Sequence, residues 1–471
     1  MRDNLDAALN NVILGARYHR VSPDGPKVKK CSKSEPLVTI YFVGPTLPTL
    51  EEEVKEIMFP AGGRQYMACN GWVMSSDPLA NFALPGCDIY LRRELVAWGD
   101  SVKLRFGEKP EDSPWLWNFM REYVEQTARI FDGIRLDNCH STPIHVAEYM
   151  LDAARAVRPE LYVIAELFTS SEGSDNVYIN RLGINSLIRE ALAAWDSHEQ
   201  GRLVHRFGGD PVGSFRQPTQ RPLVPSMAHA ILFDQTHDNE SPFEKRSGHD
   251  LLPTSAMVSM TFCAVGSNRG YDEMVPHHIH VVNEARTYAG SGEANGGMRE
   301  ARRALNELHC YLGKSGFTEI YVDQMNFDVV AVTRHNPSTH ESVVAVSHTM
   351  FNKGADPNTP AQVKPISVEG ELEEVVLEAR IVKKGSGKFV RSEKFINGDQ
   401  NYSVELQNHG DISNSKMARV VSPVGAPETL IQLDSFTPGK FSYFTSLSAT
   451  TKDEMRPWMT YEQAWKSPCE G

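Results

Sequence analysis

The sequence predicts an α/β chain in which a TIM-type (β/α)8 barrel is followed by an all-β, sandwich-like domain. Three observations predict it. Short apolar runs alternate with amphipathic stretches around residues 133–240. Acidic residues fall at the carboxyl ends of those runs. Beyond a glycine-rich break at 290–297 the apolar period switches from helical to two.

In chain order, GIRLD (133–137) reads as a strand, PIHVAEYMLDAARAVRP (143–159) as a helix, and LYVIAE (161–166) as a second strand. That is a βαβ unit, which implies parallel strands with a right-handed crossover. A further unit runs through LIREALAAW (187–195), and AHAILFDQTHD (228–238) supplies a later strand. Asp137, Glu166 and Asp238 each close one of these strands. Carboxyl strand ends are where a barrel of this type assembles its site, so all three are expected to face one bowl.

GSGEANGG (290–297) marks a boundary, and MREARRALNELHCYLG (298–313) is expected to form a helix just after it. DVVAVTRH (328–335), SVVAVSHT (342–349), EEVVLEARIV (373–382), YSVELQ (402–407) and LIQLDSF (430–436) alternate as half-buried antiparallel strands do. KKGSGK (383–388) reads as a flexible hairpin tip. The expected domains are 1–297, 298–450 and a tail, 451–471.

Bulk properties narrow the function classes. The chain has 471 residues, 41% hydrophobic and 23% charged, an ordinary soluble composition. No apolar run nears the roughly 18 residues that span a bilayer, and MRDNLDAALNNVILG lacks a signal-peptide layout, so a cytoplasmic protein without a membrane partner is expected. The seven cysteines are scattered and lack CxxC spacing, which predicts reduced thiols and no zinc site. A net charge of −12 disfavours nucleic acid and is compatible with a neutral polymer.

Paired carboxylates on neighbouring strands suit glycosidic bond cleavage with retention, which needs a nucleophile and a protonated acid about 5–5.5 Å apart. Asp137 and Glu166 lie one strand-helix-strand step apart. Arg135 shares a strand face with Asp137 and is placed to keep it ionised, whereas Glu166 follows the apolar LYVIA, where desolvation raises a carboxyl pKa. Acidic strand ends also serve as helix caps or halves of ion pairs, and His237 beside Asp238 also reads as a structural imidazole.

GIRLDNCHS (133–141), VIAELF (163–168) and QTHDNE (235–240) resemble three conserved regions of the α-amylase superfamily. LRRELVAWGDSVKLRFG (91–107), RLDNCHSTPIHVAEYMLDAAR (135–155), GRLVHRFGGDPVGSF (201–215) and GSNRGYDEMVPH (266–277) resemble more specifically the glucanotransferase domain of eukaryotic glycogen debranching enzymes. YVDQMNFDVVAVTRHNPSTHESVVAVS (321–347) is similar to that family's central domain.

The resemblance implies Asp137 as nucleophile, Glu166 as general acid/base and Asp238 as the carboxylate that steadies the transition state. It implies Arg135 and His237 as sugar-binding partners. Asn138 and His140 are placed either to touch sugar or to cap the helix at 143. The implied reaction is 4-α-glucanotransfer of a maltooligosaccharide between α-1,4-glucan chains of glycogen, with no cofactor or metal. The alternatives are a glycogen-binding fragment without catalysis and an α-amylase-type hydrolase.

Trp72, Trp98, Trp115 and Trp117 are candidate sugar platforms, with core packing as the other reading of each. No Asn-His pair matches the superfamily's first region, and PLVTIYFVG (36–44) and QYMACNGWVM (65–74) are the main strand signals before residue 131. A barrel lacking its first strands is therefore expected. The family's α-1,6-glucosidase domain is expected to be absent, and the final 21 residues do not resemble the family.

Overall fold

The computed structural model describes residues 106–169, 171–190, 194–209, 229–233, 240–270, 273–279, 284–288, 298–422 and 428–447, with scattered positions between 9 and 55. Two compact units divide the chain. The first comprises 1–187 and 213–228, the second 188–212 and 229–471.

In the first unit, helix α1 (Pro114–Ile130) opens on a proline, whose fixed φ suits a first helical turn. Its buried Leu116, Trp117 and Ala128 lie on one side. Trp117 packs with Phe106, Val146 and Met150, and its indole N–H donates to the Phe106 carbonyl at 2.7 Å. Strand β1 (Gly133–Leu136), helix α2 (Ile144–Val157) and strand β2 (Tyr162–Ala165) form the expected βαβ unit. β1 and β2 run parallel, with Leu136 opposite Ala165.

Helix α3 (Glu172–Leu182) is capped by the Ser171 hydroxyl and ends at Gly183, whose φ of 60° is the left-handed conformation a glycine adopts without strain. Arg181 grips Glu148 of α2 with two hydrogen bonds of 2.7 Å. Strand β3 (Ser186–Glu190) then pairs parallel with β2 through Ser186 and Leu187.

The second unit begins with helix α4 (Ser197–Phe207), capped by Asp196. Strand β4 (His229–Phe233) pairs parallel with β5 (Ala264–Gly266), and between them lie the short helix α5 (Pro242–Lys245) and helix α6 (Leu251–Ser259). A two-residue strand β6 (Thr287–Tyr288) precedes helix α7 (Met298–Lys314).

The remaining strands are β7 (Glu319–Gln324), β8 (Val329–His335), β9 (Glu341–His348), β10 (Ile366–Glu369), β11 (Glu371–Lys383), β12 (Phe395–Ile396), β13 (Tyr402–Gly410), β14 (Ala418–Val420), β15 (Glu428–Leu433) and β16 (Lys440–Leu447). Six form an antiparallel sheet in the order β13-β11-β16-β9-β8-β7, and three form a second sheet, β10-β15-β14. Val329, Ala331, Val344 and Val346 pack with Ile366, Val368, Ile431 and Leu433 in one core between the two sheets. Val330, Val332, Val343 and Ala345 join α6 and α7 in a second core. The sandwich is thus borne out.

The half-buried reading of its central strands is corrected. Val329 to Val332 are all at most 1% exposed, because helices cover the face the sequence leaves to water. KKGSGK is corrected as well: β11 and β13 pair at Lys383 and Tyr402, so the tip is a long connection from 384 to 401 that contains β12.

The expected helix at 298 is present, and α7 shares a core with α6 and the sheet. The candidate strands at 36–44 and 65–74, and Trp72 and Trp98, lie outside the described residues. Cys31, Cys139, Cys263 and Cys310 are free thiols. No described helix is long and apolar enough to cross a membrane.

Candidate active site

The strand register brings two of the three carboxylates together. Asp137 and Glu166 are the first residues beyond β1 and β2, whose last residues oppose each other. Two hydrogen bonds extend the ladder past the strands: Glu166 N–H donates to the Leu136 carbonyl at 2.9 Å, and Cys139 N–H to the Glu166 carbonyl at 3.0 Å. The chain turns away at Asn138, which takes φ 46°, a left-handed conformation Asn tolerates better than most residues. That turn aims the Asn138 amide at Glu166 Oε2, 2.8 Å away.

Arg135 occupies the space between the acids. Its Nη1 donates to Asp137 Oδ1 at 2.5 Å, and its Nη2 stands 3.3 Å from Glu166 Oε1. The two carboxyl environments differ sharply. Two thirds of the Asp137 side chain is exposed (66%), against a tenth of Glu166 (10%). Burial pushes the Asp137 carboxyl up, but the Arg135 hydrogen bond and charge, with hydrogen bonds from Glu166 and Asn138, outweigh it. Asp137 therefore lies below the ordinary aspartate value.

Burial is also the largest influence on Glu166. The Asn138 amide and Arg135 oppose it, the Asp137 charge reinforces it, and the carboxyl ends above its ordinary value. The two carboxyls also hydrogen-bond each other, and their affinities for a proton are displaced in opposite directions.

Of the other expected site residues, Asn138 approaches Asp137 Oδ2 through Nδ2 at 3.4 Å. His140 Nδ1 accepts from the Phe168 amide at 3.4 Å. Neither caps α2, whose N-cap is Pro143 without a side-chain bond, so that alternative is removed. His237 and Asp238 lie outside the described residues.

Sequence reasoning passed over the layer beneath Glu166. Cys139 is 2% exposed, and burial, with the nearby charges of Asp175 and Glu166, pushes its thiol up to about 12, so it packs as a neutral group. Asp175 accepts a 2.7 Å hydrogen bond from Thr169. Proximity in the sequence to the two strand ends was the available signal for both. Trp117 is a core residue, whereas Trp115 is 74% exposed.

A profile described as the glucanotransferase domain of glycogen debranching enzyme matches residues 1–162, and one described as the central domain of human glycogen debranching enzyme matches 297–466. Asp137 falls inside the first match. The glycogen debranching enzyme of Saccharomyces cerevisiae is 36% identical over 397 residues, covering 76% of this chain and 25% of that protein. The chain thus spans about a quarter of that relative's length. Among solved structures, an Anoxybacillus alpha-amylase aligns with TM-score 0.44 and 12% identity, over 72% of this chain and 64% of the other. A Nostoc punctiforme debranching enzyme aligns with TM-score 0.41 and 12% identity, over 84% and 72%.

Proposed function

The chain belongs to the glycogen debranching enzyme family, and from that premise we propose that it is a retaining 4-α-glucanotransferase acting on glycogen, with Asp137 as nucleophile and Glu166 as acid/base. The observation that carries this reading is the opposite displacement of two facing carboxyls. Against the opposing effect of burial, Arg135 draws Asp137 below its ordinary value, and burial raises Glu166 above its own.

In the first half-reaction Asp137 attacks the anomeric carbon, the C1–O4 bond breaks, and the Glu166 proton goes to the departing O4. Oδ2 is the attacking oxygen, since Arg135 occupies Oδ1 and the Asn138 contact to Oδ2 is long. In the second, Glu166 takes the proton of an acceptor 4-hydroxyl, whose oxygen displaces Asp137 from C1. Asp238 and His237 are assigned by resemblance to the transition-state and sugar-hydroxyl contacts. Arg135 is assigned to orient the pair, and Asn138 and His140 to contact incoming hydroxyls.

Incubation with maltopentaose tests the reading. Longer and shorter oligomers together mean transfer, and Asp137→Asn lowers it by about 10³-fold or more. Shorter products alone mean an α-amylase-type hydrolase. Unchanged substrate despite binding means a glycogen-binding fragment.

A further inference from the structure

One end of the large sheet gathers charge where its strands would ordinarily bury apolar groups. Leu377, Ala379 and Ile381 of β11 join the core with α6 and α7. Glu378 and Arg380, which alternate with them, therefore share the opposite face. Glu378 lies across from Ser442 of β16 and Gln407 of β13, and Arg380 across from Lys440 and Glu405. These side chains and Lys416 line a cavity of about 100 Å3. That is room for an ion of a few heavy atoms, and well below the roughly 300–1,000 Å3 of pockets for larger ligands.

Both carboxylates of the cavity are engaged by other groups. Glu405 Oε2 accepts from Arg380 Nε at 2.7 Å, and Arg380 Nη2 stands 2.6 Å from the same oxygen. Glu378 Oε1 accepts from the hydroxyls of Ser415 at 2.5 Å and Ser442 at 2.8 Å. Lys440 has no such match. It is 7% exposed, its Nζ donates to the Ser435 carbonyl at 2.6 Å, and it forms no ion pair with a described carboxylate. An ammonium has three protons to donate, and burying its charge without a counter-ion is costly. Arg380, directly across the strand pair, adds to the cost, because like charges facing each other in a sheet repel. Burial and then Arg380 draw Lys440 below the ordinary lysine value, and the Glu378 charge offsets them only in part.

An oxyanion answers each of these features. Three cations, Arg380, Lys416 and Lys440, line the cavity against two carboxylates, in a chain whose net charge is −12. A phosphate group offers several acceptor oxygens, which suit both a compact ammonium and a guanidinium fork. A neutral ligand of the same size leaves the Lys440 charge uncompensated.

We propose that Lys440, Arg380 and Lys416 form a binding site for a phosphate group, carried either by inorganic phosphate or by a small phosphomonoester. The site stands independently of the glucan reading of Asp137 and Glu166.

Calorimetric titration of the full chain with inorganic phosphate, and separately with a hexose monophosphate, tests it. One ion per chain with a Kd of about 1 mM or below is expected, and the tighter of the two ligands identifies the source of the phosphate group. Lys440→Met, which removes a charge-assisted contact, is expected to weaken binding about tenfold or more, and Lys416→Gln, at an exposed position, about threefold. Arg380→Lys is expected to weaken it less than Arg380→Gln. The absence of saturable binding by either ligand overturns the site. So does binding that Lys440→Met and Lys416→Gln leave unchanged, because the ion then sits elsewhere. If circular dichroism shows that Lys440→Met does not fold, Lys416→Gln and Arg380→Gln decide in its place, and unchanged binding by both overturns the site.

Discussion

At the scale of single residues, Arg135 makes a prediction that separates electrostatics from simple positioning. It lowers the pKa of both acids, although burial is the larger influence on each. Transfer needs Asp137 ionised and Glu166 protonated, so its rate rises with pH through the pair's lower apparent pKa and falls through the higher one. Removing the cation makes both protons harder to release. Arg135→Met is therefore expected to move both limbs of the kcat/KM profile to higher pH, and Arg135→Lys, which keeps the charge, to move them less. A profile whose limbs stay in place while kcat falls assigns Arg135 a steric role only.

At the scale of elements, the turn before α6 is fastened by a buried ion pair. Arg246 Nη1 meets Asp250 Oδ2 at 2.5 Å, with side chains 3% and 0% exposed. Arg246 also donates to the Ala194 carbonyl at 2.9 Å, and Asp250 Oδ1 accepts from Met350 N–H, just past β9, at 2.8 Å. Three segments distant in sequence meet there. Asp250→Asn removes the carboxylate that this buried guanidinium meets and is expected to cost about 3–5 kcal/mol in urea unfolding. Arg246→Met/Asp250→Leu, which removes both charges, is expected to lose less, and an equal or greater loss refutes the charge explanation. No local pattern announces this pair, whereas the elements it joins were legible. The βαβ unit around Asp137 was readable because helical and strand periods alternate there within short range. The covered outer face of β8 and β9 was not, because runs such as VVAV are compatible with burial on one side or two, and only α6 and α7 decide between them. The candidate site divides in the same way. Asp137 and Glu166 were identified by their strand-end positions, but the Asn138 amide on Glu166 depends on a backbone turn that residue types do not encode.

At the scale of the whole molecule, the net charge of −12 becomes informative once the partner is taken to be a glucan. A polyanion bound through lysines and arginines releases counterions, so its affinity falls steeply with salt, by about 0.9 log units per phosphate neutralised for each tenfold rise in salt. A neutral polysaccharide has no counterions to release. The groups proposed to hold it, the carboxyl and amide groups near Asp137, act through hydrogen bonds with uncharged hydroxyls. The acidic surface then keeps copies of the chain apart without repelling the ligand. Retardation of the chain by glycogen in native electrophoresis is accordingly expected to change by less than about twofold between low and high salt, a range over which contacts to even two phosphates lose roughly 50-fold or more. Release of the chain by moderate salt contradicts a neutral partner held by hydrogen bonds, and directs attention to a basic patch instead.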